Sequence, residues 1–146
     1  MPRIHVAIPA YTQFEATIPV RITDLNYGAH LGNDALLSIL HEARIQLLRH
    51  FGYSELAFGG VGLIMADVAI AYKGESFYGD ILTVKMAFDD FSRYGFDITY
   101  QVLNQDGKEV ARAKTGMLCF DYKARKLVSL PGEVKAKIET KTGGIL

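Results

Sequence analysis

The chain holds one cysteine, no excess of charge of either sign and no apolar run long enough to cross a membrane, and each shortage excludes something. With Cys119 alone there is no internal disulfide, and the thiol fits a reducing compartment. Lys plus Arg and Asp plus Glu number 16 each, so no net basic field draws the chain to nucleic acid or anionic lipid. No apolar stretch approaches the roughly 20 residues of a membrane span. The opening Met1-Pro2-Arg3-Ile4-His5-Val6 also lacks the apolar core of a signal peptide, and a cytoplasmic protein is expected. Several catalytic signatures are missing too. His41-Glu42 is followed by Ile45 where a zinc-protease helix needs its second histidine, and there is no Gly-x-Ser-x-Gly elbow, Walker A loop or metal-binding Cys pair.

What is present suits a globular domain. The 146 residues are 49% apolar and 22% charged, and a chain of this size buries roughly 68–70% of its unfolded surface. Residues 1–13 read as an N-terminal extension and 14–146 as a single domain, because no linker or repeat divides them. Phe14, Ala16, Ile18, Val20 and Ile22 alternate with Glu15, Thr17, Pro19, Arg21 and Thr23, the period of a half-buried strand. Pro19 cannot donate to a ladder, which points to an edge or a bulge.

From Asn33 to Phe51 the period becomes helical. Leu36, Leu40, Ala43, Leu47 and Phe51 form one stripe, widened by Leu37, Ile39 and Leu48, against a narrower polar stripe of Ser38, Glu42, Gln46 and Arg49. Asn33 or Gly32 can cap the start, Asp34 suits the first turn, and Gly52 suits the position just past the end. Strand patterns follow at Leu63–Tyr72, Ile81–Phe91, Tyr94–Asn104 and Glu109–Phe120, separated by Gly79-Asp80, Ser92-Arg93 and Asn104-Gln105-Asp106-Gly107. Leu127–Leu130 reads as a short last strand and Glu133–Lys141 as a short polar helix or frayed tail. The class is α+β: one long helix with an antiparallel sheet. One helix leaves part of such a sheet uncovered, and self-association covers it.

The segment Asp24–Asn33 joins the first strand to the long helix and concentrates polar groups at a helix start. The unpaired N–H groups there carry partial positive charge and can hold a carbonyl or a developing oxyanion.

Asp24-x-Asn26-x-x-x-His30-x-x-Asn33 is followed by Glu42-Ala43-Arg44, Ile70-Ala71-Tyr72 and Gly79-Asp80. Asp106-Gly107 with Val110-Ala111-Arg112-Ala113 and the closing Ser129-Leu130-Pro131 complete the series. In this order and spacing the chain resembles the 4-hydroxybenzoyl-CoA thioesterase-like branch of the hotdog superfamily from Phe14 to Pro131. The resemblance implies a sheet wrapped around a central helix, with homodimers or dimers of dimers made by joining sheets edge to edge. It also implies acyl-CoA thioester hydrolysis at the dimer interface, with coenzyme A entering as part of the substrate and no separate cofactor. Members commonly carry Asp-x-Asp-x-x-Gly-His-x-Asn-Asn here, the second Asp serving as base or nucleophile. Asn26 stands at that position, Ala29 replaces the Gly and Gly32 the first Asn, and Asn26 can neither take a proton nor attack a thioester.

The family pattern puts the Asn33 N–H at the thioester carbonyl, while by its residue type Asn33 can equally cap the helix. Asn26 can position a water or hold the loop by an Asx-type bond. Asp24 fits a loop-organising acceptor better than a base, and His30 is either an acid/base group or a hydrogen-bonded loop residue. Two carboxylates remain as bases: Asp67, isolated in the apolar Leu63–Ala71 stretch, and Glu42 on the polar face of the helix. Lys73, Arg93 and Arg112, with Lys114, Arg125 and Lys126, are available for the coenzyme A phosphates. Tyr72, Phe77, Tyr78, Phe88 and Phe91 are available for an acyl tunnel or for the core. Two readings stand: an acyl-CoA thioesterase whose base is not the usual Asp, or an acyl-CoA or small-ligand binding module that does not hydrolyse.

Overall fold

The computed structural model describes residues 3–140. In chain order these form β1 (Phe14–Pro19), a 3₁₀ turn (Ile22–Asp24), α1 (Asn33–His50), β2 (Gly62–Tyr72), β3 (Ile81–Asp89), β4 (Gly95–Leu103), β5 (Glu109–Asp121), β6 (Lys126–Leu127) and α2 (Gly132–Ile138). The strands make one antiparallel sheet in the order β1-β3-β4-β5-β2, with β6 on the end of β5. β1 is therefore an edge strand, where Pro19 loses no ladder bond, and β2 is the other edge.

β1 is shorter than the alternation through Ile22 predicts. After Pro19 the chain turns: the Val20 N–H donates to the Asp80 carbonyl at 2.8 Å, and the Arg21 N–H donates to the Asp24 carboxylate at 2.8 Å. These bonds close the 3₁₀ turn and leave Ile22 exposed. The described part of the N-terminal segment lies against the sheet. Val6 is buried, the Gln13 N–H donates to the Met86 carbonyl, and the Gln13 side chain accepts the Phe88 N–H at 2.6 Å.

α1 ends where the sequence indicates. Gly52 has φ +88°, its N–H donates to the Arg49 carbonyl, and the Tyr53 N–H reaches back to Leu48, a Schellman closure that suits glycine. Leu36, Ile39, Leu40, Ala43, Leu47, Leu48 and Phe51 are buried against Val84, Met86, Ile98, Tyr100 and Val102 of the sheet. Each fully buried Leu contributes about 1.5–3 kcal/mol relative to exposure, so this face holds the helix in place. Two residues depart from the stripe. Leu37, read as part of the apolar face, is exposed, and Arg44 is buried. The Arg44 Nε donates to Glu55 at 3.1 Å and an Nη to the Tyr100 hydroxyl at 3.2 Å, which compensates its burial.

β3 stops at Asp89 rather than Phe91, because Asp90 turns out of the ladder at φ +50°. The last strand is confined to Lys126–Leu127. Beyond it the Val128 and Leu130 N–H groups bond to Cys119 and Arg93, and Pro131 leads into α2. The tail helix covers Gly132–Ile138, and Lys141 lies outside the described residues.

Candidate functional site

The junction before α1 is a miniature hairpin. Leu25 and Leu31 form an isolated antiparallel bridge, and the Asn26 N–H donates to the His30 carbonyl at 2.8 Å. The Ala29 N–H closes the turn onto the Asn26 carbonyl at 3.0 Å. Ala29 itself sits at φ +62°, the left-handed position that closes a three-residue hairpin and favours glycine.

The Asn26 side chain ties the turn together from inside. Its Oδ1 accepts the Gly28 N–H at 2.9 Å and the His30 N–H at 3.2 Å. Two donors on one atom fix the amide orientation, so the Nδ2 is the part of Asn26 left to meet a ligand. Asp24 has a different task. It is buried, and although burial raises its pKa, the Arg21 side chain and backbone N–H hold the carboxyl below its ordinary value. Its carbonyl accepts the Gly32 N–H at 2.9 Å, so Asp24 organises the loop from behind.

Gly32, not Asn33, is the N-cap of α1, and no side chain caps it. Asn33 is the first helical residue. The first-turn N–H groups have no intrahelical acceptor, and a glycine cap supplies none from a side chain. They remain available to an incoming carbonyl.

One bond decides what lies opposite. The Leu31 N–H donates to the Ser76 carbonyl at 2.9 Å and stitches the hairpin to the β2–β3 connection. That connection is rigidly shaped. The Lys73 and Gly74 N–H groups share the Val110 carbonyl, and Asp80 accepts from the Phe77 N–H and the Ser76 hydroxyl at 3.0 Å each. Burial would raise the Asp80 pKa, but these bonds and one from Gln105 hold it below its ordinary value, so the carboxylate keeps the loop folded. Glu75 is thereby carried to His30, with its Oε1 3.3 Å from the His30 Nδ1, while Phe77 lies against the imidazole at 5.3 Å between ring centres.

These elements enclose a cleft of ≈ 450 Å³, lined among others by Asn26, His30, Asn33, Tyr72 and Glu75. The structure thus brings together three of the six residues singled out for chemistry. Glu75 was missed: in sequence it is one carboxylate in a loop, and nothing there links it to a residue 45 positions earlier.

The other candidates lie elsewhere in the chain. Asp67 is exposed on the β2 edge, where its Oδ1 accepts the Gly116 N–H at 3.0 Å beside a β-bulge. Glu42 accepts from the Gln46 amide at 2.8 Å and faces a second cleft with Arg21 and Thr17. Lys73 adjoins the main cleft through Gly74. Arg112 has its Nε on Glu109 at 2.8 Å, and Arg93 lies beyond β3 at the opposite end of the sheet, over the Tyr94 ring. Of the aromatic residues, Phe88 is core, Phe91 packs beside it, Tyr78 is exposed, and Tyr72 and Phe77 flank the cleft. Burial pushes the Cys119 thiol up to about 11, which removes it as a nucleophile. No cluster of metal-ligating side chains occurs among the described residues.

Against known proteins, the chain matches the thioesterase-like superfamily over residues 20–138. It is 25% identical over 127 residues to the long-chain acyl-CoA thioesterase FadM of Escherichia coli (strain K12), spanning 86% of this chain and 96% of that one. The DHNA-CoA thioesterase of Staphylococcus aureus superposes with a TM-score of 0.78 at 19% identity, covering 86% and 89% of the two chains. A 1,4-dihydroxy-2-naphthoyl-CoA thioesterase of Synechocystis superposes at 0.76 with 22% identity, covering 86% and 93%. These likenesses establish the hotdog fold.

Proposed function

We infer from the chain's place in the thioesterase-like superfamily, to which it belongs, that it hydrolyses acyl-CoA thioesters in the cleft at the start of α1. The observation that carries this reading is the uncapped helix start opening into a cleft that also holds an imidazole and a carboxylate. A thioester needs its carbonyl polarised, a water activated and a thiolate expelled. The Asn33 N–H receives the carbonyl oxygen, and the Asn26 Nδ2 is a second donor beside it. Neither group needs to ionise, so Asn26 retains a role although it is no base.

The open edge of β2 supports a second copy joined along it. Met65, Val68 and Tyr72 are exposed there, and an open sheet edge with apolar side chains beside it favours pairing with another strand. A homodimer or dimer of dimers built this way puts Asp67 in the joint and the cleft beside it. Lys73, at the cleft's margin, is the cation we assign to the coenzyme A phosphates. No helix among the described residues is long and apolar enough to cross a membrane. The single cysteine, which fits a reducing compartment, supports a cytoplasmic location.

The test is free-thiol release from short, medium and aromatic acyl-CoAs. Release above background from one of them is expected, and none from any, with protein shown to be folded and dimeric, overturns the assignment. Asn26 favours one rival, a module that binds acyl-CoA and leaves it intact. That rival predicts saturable binding of thioesters that survive incubation, with hydrolysis appearing only in Asn26→Asp.

A further inference from the structure

The family's usual carboxylate is missing at position 26, yet a carboxylate is present in the cleft from another part of the chain. Glu75 comes from the β2–β3 connection, and its Oε1 lies 3.3 Å from the Nδ1 of His30. The side chains are 66% and 41% exposed, so water and ligand reach both. Their positions are nonetheless fixed. Asn26 Oδ1 holds the His30 N–H, Leu31 is bonded to Ser76, and Phe77 packs on the ring. The pair is thus held by backbone on both sides and left open on the side of the cleft.

We propose that His30 is the group that takes the proton from the attacking water, and that Glu75 is its positioning residue. A carboxylate beside Nδ1 selects the tautomer with the proton on Nδ1, which leaves the Nε2 lone pair free to act. The contact of 3.3 Å is long for a charged hydrogen bond, as such contacts often are before substrate binds, and it shortens when the cleft fills.

The step balances as a hydrolysis. A water proton moves to His30 Nε2 while the water oxygen forms a bond to the thioester carbon, and the C=O electron pair moves to an oxygen held by the Asn33 N–H. Collapse restores the C=O and breaks the C–S bond. The proton on Nε2 then passes to the leaving sulfur, giving coenzyme A thiol and the free acid, and the imidazole returns to its starting form. Asn26 keeps the catalytic turn in shape throughout, and the absence of an acid at that position ceases to be a defect.

This proposal rests on the thioesterase reading, and the experiment separates the two. Steady-state hydrolysis is measured for the wild-type protein, His30→Ala, Glu75→Gln, Glu75→Ala and the double variant His30→Ala/Glu75→Gln, with and without added imidazole. Circular dichroism and urea unfolding verify the fold of each. The expected result is a loss of kcat of about a hundredfold or more in His30→Ala, within the usual range for a general base, and a substantial loss in both Glu75 variants, with KM changed less than about threefold. Imidazole should restore activity to His30→Ala but not to the double variant, a difference that a merely structural role would not produce. If the wild type hydrolyses and folded Glu75→Gln and Glu75→Ala keep kcat within about threefold, the proposal fails and the thioesterase reading stands. If the wild type releases no thiol, both fail together.

Discussion

His41 and His30 each face a glutamate, and both imidazoles are part-exposed, at 54% and 41%, but the two pairs differ in length and in what surrounds the carboxylate. The His41 Nε2 donates to Glu55 at 2.8 Å, and the same carboxylate accepts from Arg44, which in turn reaches the Tyr100 hydroxyl and through it Thr115. Arg44 is 7% exposed and Glu55 25%. The His30–Glu75 contact is 3.3 Å and stands largely in solvent at the mouth of a cleft. Short bonds to a carboxylate shared with a buried arginine bring rigidity; a looser pair beside unpaired helix donors leaves lone pairs for a substrate. On the proposed function, tightness of an acid–base pair is a poorer guide to the site than neighbouring unsatisfied groups. The same lesson applies to perturbed acids. Burial raises the Asp97 pKa, with Asp90, Asp67 and Asp89 adding to it against Lys114, yet Asp97 does not line the cleft.

The comparison breaks most visibly at Arg44. Arg44→Ala leaves Tyr100 and Glu55 without their cation and empties a buried volume; a loss of about 3 kcal/mol is expected by urea unfolding. A loss under about 1 kcal/mol would show that the network is decoration rather than scaffold.

Glu55 is next, and it makes the difference pH-dependent. Burial raises its pKa, but the His41 hydrogen bond and Arg44 more than offset this and hold it below the ordinary 4.5. A carboxyl lowered by folding contributes stability that is complete above its unfolded value and is lost as pH falls through the folded value. Wild-type Tm should therefore drop below about pH 4.5, and Glu55→Gln, costing about 1–2 kcal/mol at neutral pH, should flatten that drop. Equal acid slopes in the two proteins would remove Glu55 from the account.

Ala29→Gly sharpens the other side. At φ +62° an alanine costs roughly 1 kcal/mol that glycine does not, partly offset by the freedom glycine gains in the unfolded chain. A gain of about 0.5 kcal/mol should appear in unfolding, and a loss would mean that the turn changes shape on substitution. Smallest of all is Glu75→Gln, whose solvent-exposed pair predicts a stability change within about 0.5 kcal/mol. A larger loss would place Glu75 with Glu55 among the structural acids.

The periodicities and breakers carried much of the architecture. The buried apolar residues of α1, with Phe51 just past its end, recur at helical spacing, Gly52 marks the helix end, and Pro19 marks an edge strand, because each reports a local constraint of backbone or burial. Leu37, counted with the apolar face yet exposed, and Arg44, buried although neither stripe includes it, depart for the converse reason. Helical phase says which residues share a face, but whether that face meets the core, a neighbouring carboxylate or open solvent depends on what packs there, and Arg44 meets Glu55 and Tyr100 from 11 and 56 positions further along the chain.

By itself the sequence determined the main elements, their order and the polar segment ahead of α1, since turn chemistry and hydrophobic period act over a few residues. Only the tertiary structure decided which acid joins that hairpin. In the single chain Asp67, Glu42 and Asp24 do not line the cleft, and the bond from the Leu31 N–H to the Ser76 carbonyl draws Glu75 to His30. A contact between residues 45 positions apart is set by how the sheet and its connections close around the helix, and no local pattern encodes that distance.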